Sequence, residues 1–252
     1  MPLRPGSLRA ALELLTRLPV PAARDFHVQD LVDGAAWYPA IGLGVGALLW
    51  GAGVGLNALG VPLPAAVVLV VLVGVVATGA LHEDGLADAA DGLFGGWTPA
   101  RRMEIMRDSR LGTYGGVALF GALALRAAGL FALPIEHWAF ALVGVHALAR
   151  WGGLVLLSTH RYARQSDPQS VAAQVVDGVG WRHLLAGTGF VVPLAVWQPL
   201  LTGVVVAAMV PVGAVWVVLC RRKVGGMTGD LVGGGILLFE LAGLVTLATW
   251  LG

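Results

Sequence analysis

The sequence predicts an all-α polytopic membrane bundle of six or seven transmembrane helices with a cytoplasmic N-terminus, on three observations. First, 57% of the 252 residues are hydrophobic and only 12% are charged, with a mean hydropathy of +0.80. Soluble domains carry roughly 25% charged residues, so this chain must turn much of its surface to lipid. Second, apolar runs close to the ~20 residues needed to cross a bilayer recur along its length. Third, with seven spans the pieces 1–33, 82–111, 159–183 and 221–230 hold fourteen of the sixteen Lys and Arg residues, and the opposite-side loops hold none. That asymmetry is the positive-inside signature and places the N-terminus in the cytoplasm.

Residues 8–18 (LRAALELLTRL) are amphipathic and predict a helix in the membrane interface or packed across the bundle. Four arginines (Arg4, Arg9, Arg17 and Arg24) interrupt residues 1–33, and the apolar stretches there are too short for a cleavable signal. Spans are expected near 34–60, 62–81, 112–133, 138–158, 184–200, 201–220 and 231–251. The first two are parted by the turn Gly60-Val61-Pro62. The uncharged run 184–220 is too long for one span and short for two. Pro193, Pro199 and Pro211 mark possible breaks, which leaves six and seven spans open. Spaced glycines such as Gly42, Gly44 and Gly46 let helices approach closely in lipid. The whole, 1–252, reads as a single integral membrane domain.

Charge and cysteine narrow the function. A net charge of +1 gives no field that argues for nucleic acid. The lone Cys220 allows neither an internal disulfide nor a thiolate metal cluster within one chain. There is no HExxH pair, Walker A loop or nucleophile elbow, which argues against zinc hydrolases, P-loop ATPases and serine hydrolases.

One dense polar stretch remains, HEDGLADAADGLFGGWTPARRMEIMRDSRLG at 82–112. It holds six of the fifteen acidic residues. Asp84, Asp88 and Asp91 fall at i, i+4 and i+7, one face of a helix. No Lys or Arg lies between Glu83 and Asp91 to neutralise them. A divalent cation, Mg²⁺, relieves that repulsion and suggests phosphate chemistry. Glu83 points about 100° from Asp84. His82 adjoins the motif, within reach of substrate or metal.

Arg107 and Arg110 are i, i+3 neighbours if helical, and their guanidinium forks suit phosphate oxygens. Asp108 either adds a metal ligand or orients one of these arginines, and Ser109 and Thr113 offer hydroxyl donors. Near the C-terminus, Gly225-Gly226-Met227-Thr228-Gly229-Asp230 offers backbone N–H groups to a phosphate, with Asp230 able to approach a metal. Ordinary glycines before a span explain that segment equally well. Arg126, Arg150 and Glu240 fall inside spans, where charge is expensive and normally faces the bundle interior. Arg150 is expected either to pair with Glu240 or to meet substrate.

The runs HEDGLADAADGLFGG and RRMEIMRDSRLGTYG resemble the cobalamin synthase family (adenosylcobinamide-GDP ribazoletransferase), where the corresponding stretches read much like HLDGLADTADG and RRLEIMKDSRIGTYG. Thr16-Arg17-Leu18-Pro19-Val20-Pro21, Tyr38-Pro39 with Gly42, and Thr228-Gly229-Asp230 extend the likeness over nearly the whole chain. Glu83 departs from the pattern, where leucine is usual. The resemblance implies a Mg²⁺-dependent enzyme of a prokaryotic inner membrane. It joins α-ribazole, or its 5′-phosphate, to adenosylcobinamide-GDP with release of GMP, in a cavity open to the cytoplasm. It implies metal ligands at Asp84, Asp88 and Asp91, a catalytic part for Asp108, and substrate contacts at His82, Arg107, Ser109, Arg110, Thr113, Arg150, Thr228 and Asp230. A CDP-alcohol phosphotransferase needs Asp-Gly-x-x-Ala-Arg, but Asp88 follows Ala87 directly here. An ion-coupled transporter would keep its acids near the bilayer midplane. A homo-oligomer stays open.

Overall fold

The computed structural model describes residues 2–20, 27–163 and 170–252. Pro21 of the N-terminal motif and Arg24 lie outside them. The described residues are helical apart from connections and one isolated bridge between Tyr162 and Met227. In order the helices are α1 (Pro5–Leu15), α2 (Val28–Gly34), α3 (Tyr38–Ala58), α4 (Leu63–Thr78), α5 (Leu81–Gly95), α6 (Pro99–Met106), α7 (Thr113–Ala132), α8 (Val145–Thr159), α9 (Val171–Gly178), α10 (Trp181–Trp197), α11 (Pro199–Val224) and α12 (Gly229–Leu251). A short π-helical segment, Phe140–Gly144, leads into α8.

Five helices are long and apolar enough to cross a membrane. The number rises to seven if α4 with α5, and α9 with α10, each make one bent span. The run 184–220 is therefore two helices. Its break is at Gln198, with Pro199 opening α11. Pro193 and Pro211, expected as further breaks, sit inside α10 and α11. Proline is tolerated there because other groups in a membrane bundle re-satisfy the freed carbonyl. At Pro199 the missing N–H costs nothing, since the first N–H groups of a helix have no intrahelical partner.

The centre of the bundle is α8 and α12, whose residues are mostly buried; α7 and α11 stand further out. Gly42 of α3 explains its own close packing, since a Cβ there would lie 2.5 Å from the His146 carbonyl oxygen of α8. By contrast, Gly44 faces open space, so only part of the glycine pattern is used for helix contact. Helix α1 packs on α2 and across the bundle, burying Ala10, Ala11 and Leu15.

The polar stretch 82–111, expected between spans, folds as α5 and α6, and α5 is packed into the bundle. The chain turns through 86° between α4 and α5. Gly79 and Ala80 make the turn, both left-handed (φ 63° and 58°). Alanine rarely adopts that conformation. From there α5 runs beside α7 and packs most extensively against α12. Gly85 permits that approach, as a Cβ would stand 3.0 Å from the Asp230 carbonyl oxygen.

Candidate active site

The close crossing of α5 and α12 brings the first two motif aspartates to Asp230. Asp88 lies within electrostatic reach of Asp84, Asp230 and Asp91, and Asp230 within reach of Asp84. Asp84 is exposed, while Asp88 and Asp230 are half-buried. Among the described residues no side-chain donor or cation reaches these three carboxylates.

Asp91 has a different position. Its two oxygens accept the backbone N–H groups of Gly112 (2.7 Å) and Gly115 (2.9 Å). It therefore caps the start of α7, where four N–H groups lack helical partners. Seven residues of rise also set it about 10 Å along the axis from Asp84. Spacing alone grouped the three; the packed fold gives Asp91 to α7 and supplies Asp230 in its stead.

Two cavities adjoin this cluster. One, of about 410 Å³, is walled by apolar side chains of α1, α2, α3, α5, α8, α9 and α12, including Leu14, Leu31, Leu157 and Ile236, with Asp84 and Asp230 on its lining. The other, of about 400 Å³, is lined by Met103, Met106, Arg107, Tyr162 and Thr228. They share Ala172, Gly229 and Asp230. Carboxylates thus stand where an apolar chamber meets one that carries an arginine.

The remaining candidates divide. Helix α6 stops at Met106, so Arg107 and Arg110 are not helical neighbours. Asp108 grips Arg110 through both oxygens (2.5–3.1 Å). That hydrogen-bonded guanidinium holds the Asp108 carboxyl down at about 2. Asp108 therefore orients an arginine and is a poor proton acceptor. Ser109 and Thr113 are exposed. Thr228 caps α12, its hydroxyl accepting from the Leu231 N–H. The glycine-rich turn is tied to residues 161–163 by the Met227 N–H to the Arg161 carbonyl and the Ala163 N–H to the Met227 carbonyl, both 3.0 Å.

His82 is buried in the wall of the apolar cavity, its Nε2 without a hydrogen-bond partner. Arg150 lines neither cavity. It belongs to a buried charge cluster in which Arg126 pairs with Glu83 and with Glu240 (2.6 Å). Arg150 stands 4.0 Å from Glu240, and the His146 ring 3.5 Å. The pairing expected between Arg150 and Glu240 is thus secondary to Arg126. Tyr38, which lines the apolar cavity, was visible in the sequence only as a residue of a shared motif.

Mg²⁺ is the cation this donor set has to be tested against. Among the described residues no three His, Cys, Asp or Glu side chains close around one point. Mg²⁺ does not need such a cage, since one or two carboxylates, waters and substrate phosphates commonly complete its shell. Asp84, Asp88 and Asp230, uncompensated and mutually repelling, fit that pattern.

The whole chain has relatives. A family model described as cobalamin-5-phosphate synthase matches residues 7–248. A protein of Azorhizobium caulinodans named adenosylcobinamide-GDP ribazoletransferase is 41% identical over 94% of this chain and 92% of its own length. Proteins of the same name from Ralstonia nicotianae (36%; 97% of this chain, 95% of the relative) and Chlorobaculum tepidum (38%; 98% and 96%) align as fully. No solved structure matches. With motifs, membrane helices and likeness running over nearly its full length, the chain belongs to the cobalamin-5-phosphate synthase family.

Proposed function

We propose that this chain joins α-ribazole, or its 5′-phosphate, to adenosylcobinamide-GDP and releases GMP, with Mg²⁺ held by Asp84 and Asp88 and approached by Asp230. The observation that carries the reading is the pair Asp84 and Asp230, unpaired among the described residues, on the lining where an apolar chamber meets one lined by Arg107, with Asp88 close behind them. The names of the relatives supply the substrates.

A secondary ribose hydroxyl of the ribazole, free in both the nucleoside and its 5′-phosphate, attacks the phosphorus attached to cobinamide and gives up its proton to solvent. The bond to the bridging oxygen breaks, and that oxygen leaves on GMP. Bound Mg²⁺ would neutralise charge on the phosphates and hold attacking and leaving oxygens in line. The chain's own groups bind and orient. Arg107 faces the phosphates from its chamber, and Asp108 steadies Arg110 beside it. The corrin ring, too wide for either chamber, stays at the open side. The arginine-rich pieces support a reading in which this side faces the cytoplasm, with the chain in a prokaryotic inner membrane.

The test is GMP release from labelled adenosylcobinamide-GDP by purified protein with α-ribazole, with and without Mg²⁺. Release should depend on both additions, and chelation should abolish it reversibly. Release that ignores ribazole removes the transferase assignment; release in full chelator removes the metal.

A further inference from the structure

We propose that the apolar cavity beside Asp84 and Asp230 seats the aromatic base of the ribazole, and that the Tyr38 hydroxyl donates a hydrogen bond to the free ring nitrogen of that base. This rests on the transferase reading above and goes further by giving each half of the reaction its own chamber.

Size separates the substrates. Ligand pockets run from ~300 to 1,000 Å³, and 410 Å³ holds a fused bicyclic base with its sugar. A corrin macrocycle with its amide arms does not fit.

Chemistry separates them again. Leu14, Leu31, Leu157 and Ile236 offer no partner to a phosphate, and Asp84 and Asp230 on the lining repel one. Polar edges buried against such walls lose their hydrogen bonds with water. A dimethylated benzimidazole has only apolar edges besides one unsubstituted ring nitrogen, which accepts a single hydrogen bond.

Two side chains of the wall can donate, Tyr38 and His82, and only the phenol does so whatever the imidazole's tautomer. Tyr38 is only 5% exposed, and among the described residues its hydroxyl has no hydrogen-bond partner. A phenol in an apolar chamber normally finds one. His82 Nε2, buried in the same wall, is also unpartnered. The shared wall at Ala172, Gly229 and Asp230 then sets the sugar end of the substrate toward the carboxylates and the Arg107 chamber.

The test uses full-length protein in detergent, with each substrate varied in turn. It compares α-ribazole with an analogue whose base is an indole, lacking the free ring nitrogen. Wild type should favour α-ribazole by roughly tenfold in kcat/KM, the usual weight of one buried hydrogen bond. Tyr38→Phe should erase that preference and leave the KM for adenosylcobinamide-GDP within about twofold. Leu14→Trp, at a partly exposed position on the cavity edge, should raise the α-ribazole KM roughly tenfold and spare the other substrate. A wild type that makes no GMP overturns the transferase reading itself. An active wild type whose variants keep the preference, or shift both KM values together, overturns only the cavity assignment.

Discussion

Two carboxylate clusters begin one residue apart on α5. Glu83 turns inward, where Arg126 joins it to Glu240, and all three side chains are at least nine-tenths buried. Asp84 turns about 100° away toward Asp88 and Asp230, where among the described residues no cation pairs with it. The inner cluster is closed: its two carboxylates face two guanidinium groups, Arg126 and Arg150. The outer cluster is open, with three carboxylates and no ion-pair partner among the described residues. A charge neutralised inside the protein holds helices together; a charge left unpaired at a cavity waits for a ligand. Position along the sequence does not distinguish them, since both begin in the same dipeptide.

Breaking the inner cluster should give the largest effect. Arg126→Ala leaves Glu83 and Glu240 buried without their main partner, and losing one member of a buried pair costs about 3–5 kcal/mol. The variant should accumulate poorly and unfold at markedly lower temperature in detergent. Near-normal unfolding would show that α5, α7 and α12 do not depend on this charge.

The outer cluster should respond in the opposite sense. Asp84→Asn should reduce Mg²⁺-dependent GMP release by about 100-fold or more, while thermal unfolding without Mg²⁺ stays unchanged or rises slightly as repulsion falls. Full turnover would take Asp84 out of the metal site. A large loss of stability would make it structural, like its neighbour.

Glu83→Leu sharpens the contrast, because it removes only one of the two carboxylates that Arg126 holds. Arg126 keeps Glu240 (2.6 Å), so the cost should be about 1–3 kcal/mol, clearly below that of Arg126→Ala. In an Arg126→Leu background the same change should cost less still, since it then removes an unpaired buried charge. Thermal unfolding of the four-member cycle reads this coupling.

The smallest effect belongs to Asp108 and Arg110, an ion pair on the surface. Arg110 depresses the Asp108 carboxyl from 3.8 to about 2, so the contribution is complete above pH 4 and is lost only as pH falls through about 2. Wild type and Asp108→Asn should therefore show parallel stability between pH 5 and 9, and a divergence there would mean the pair is coupled to the core. The cost should appear instead as a higher KM for adenosylcobinamide-GDP.

Much of this was legible before the fold was known. Composition and the arginine distribution predicted a multi-pass bundle, and seven helices stand where seven apolar runs were read. Pro199 broke the long run while Pro193 and Pro211 did not, because a proline's effect depends on whether its helix is starting or already formed. Periodicity along α5 put Asp84, Asp88 and Asp91 on one face, but it could not see the bare N-terminus of α7 that claims Asp91. Asp230 was legible as a residue beside a glycine turn that could approach a metal or substrate, but nothing along the chain tied it to Asp84 and Asp88. Its place in the cluster comes from the close crossing that Gly85 allows.

By itself the sequence determined what is local or additive: an apolar chain that belongs in lipid, the helical spacing of its acids and the motifs it shares with its family. Only the tertiary structure decided which charges meet. The partner of a side chain 100 residues away is fixed by how helices cross. In a low-dielectric bundle that crossing makes one of two adjacent carboxylates a structural tie and leaves the other free to bind.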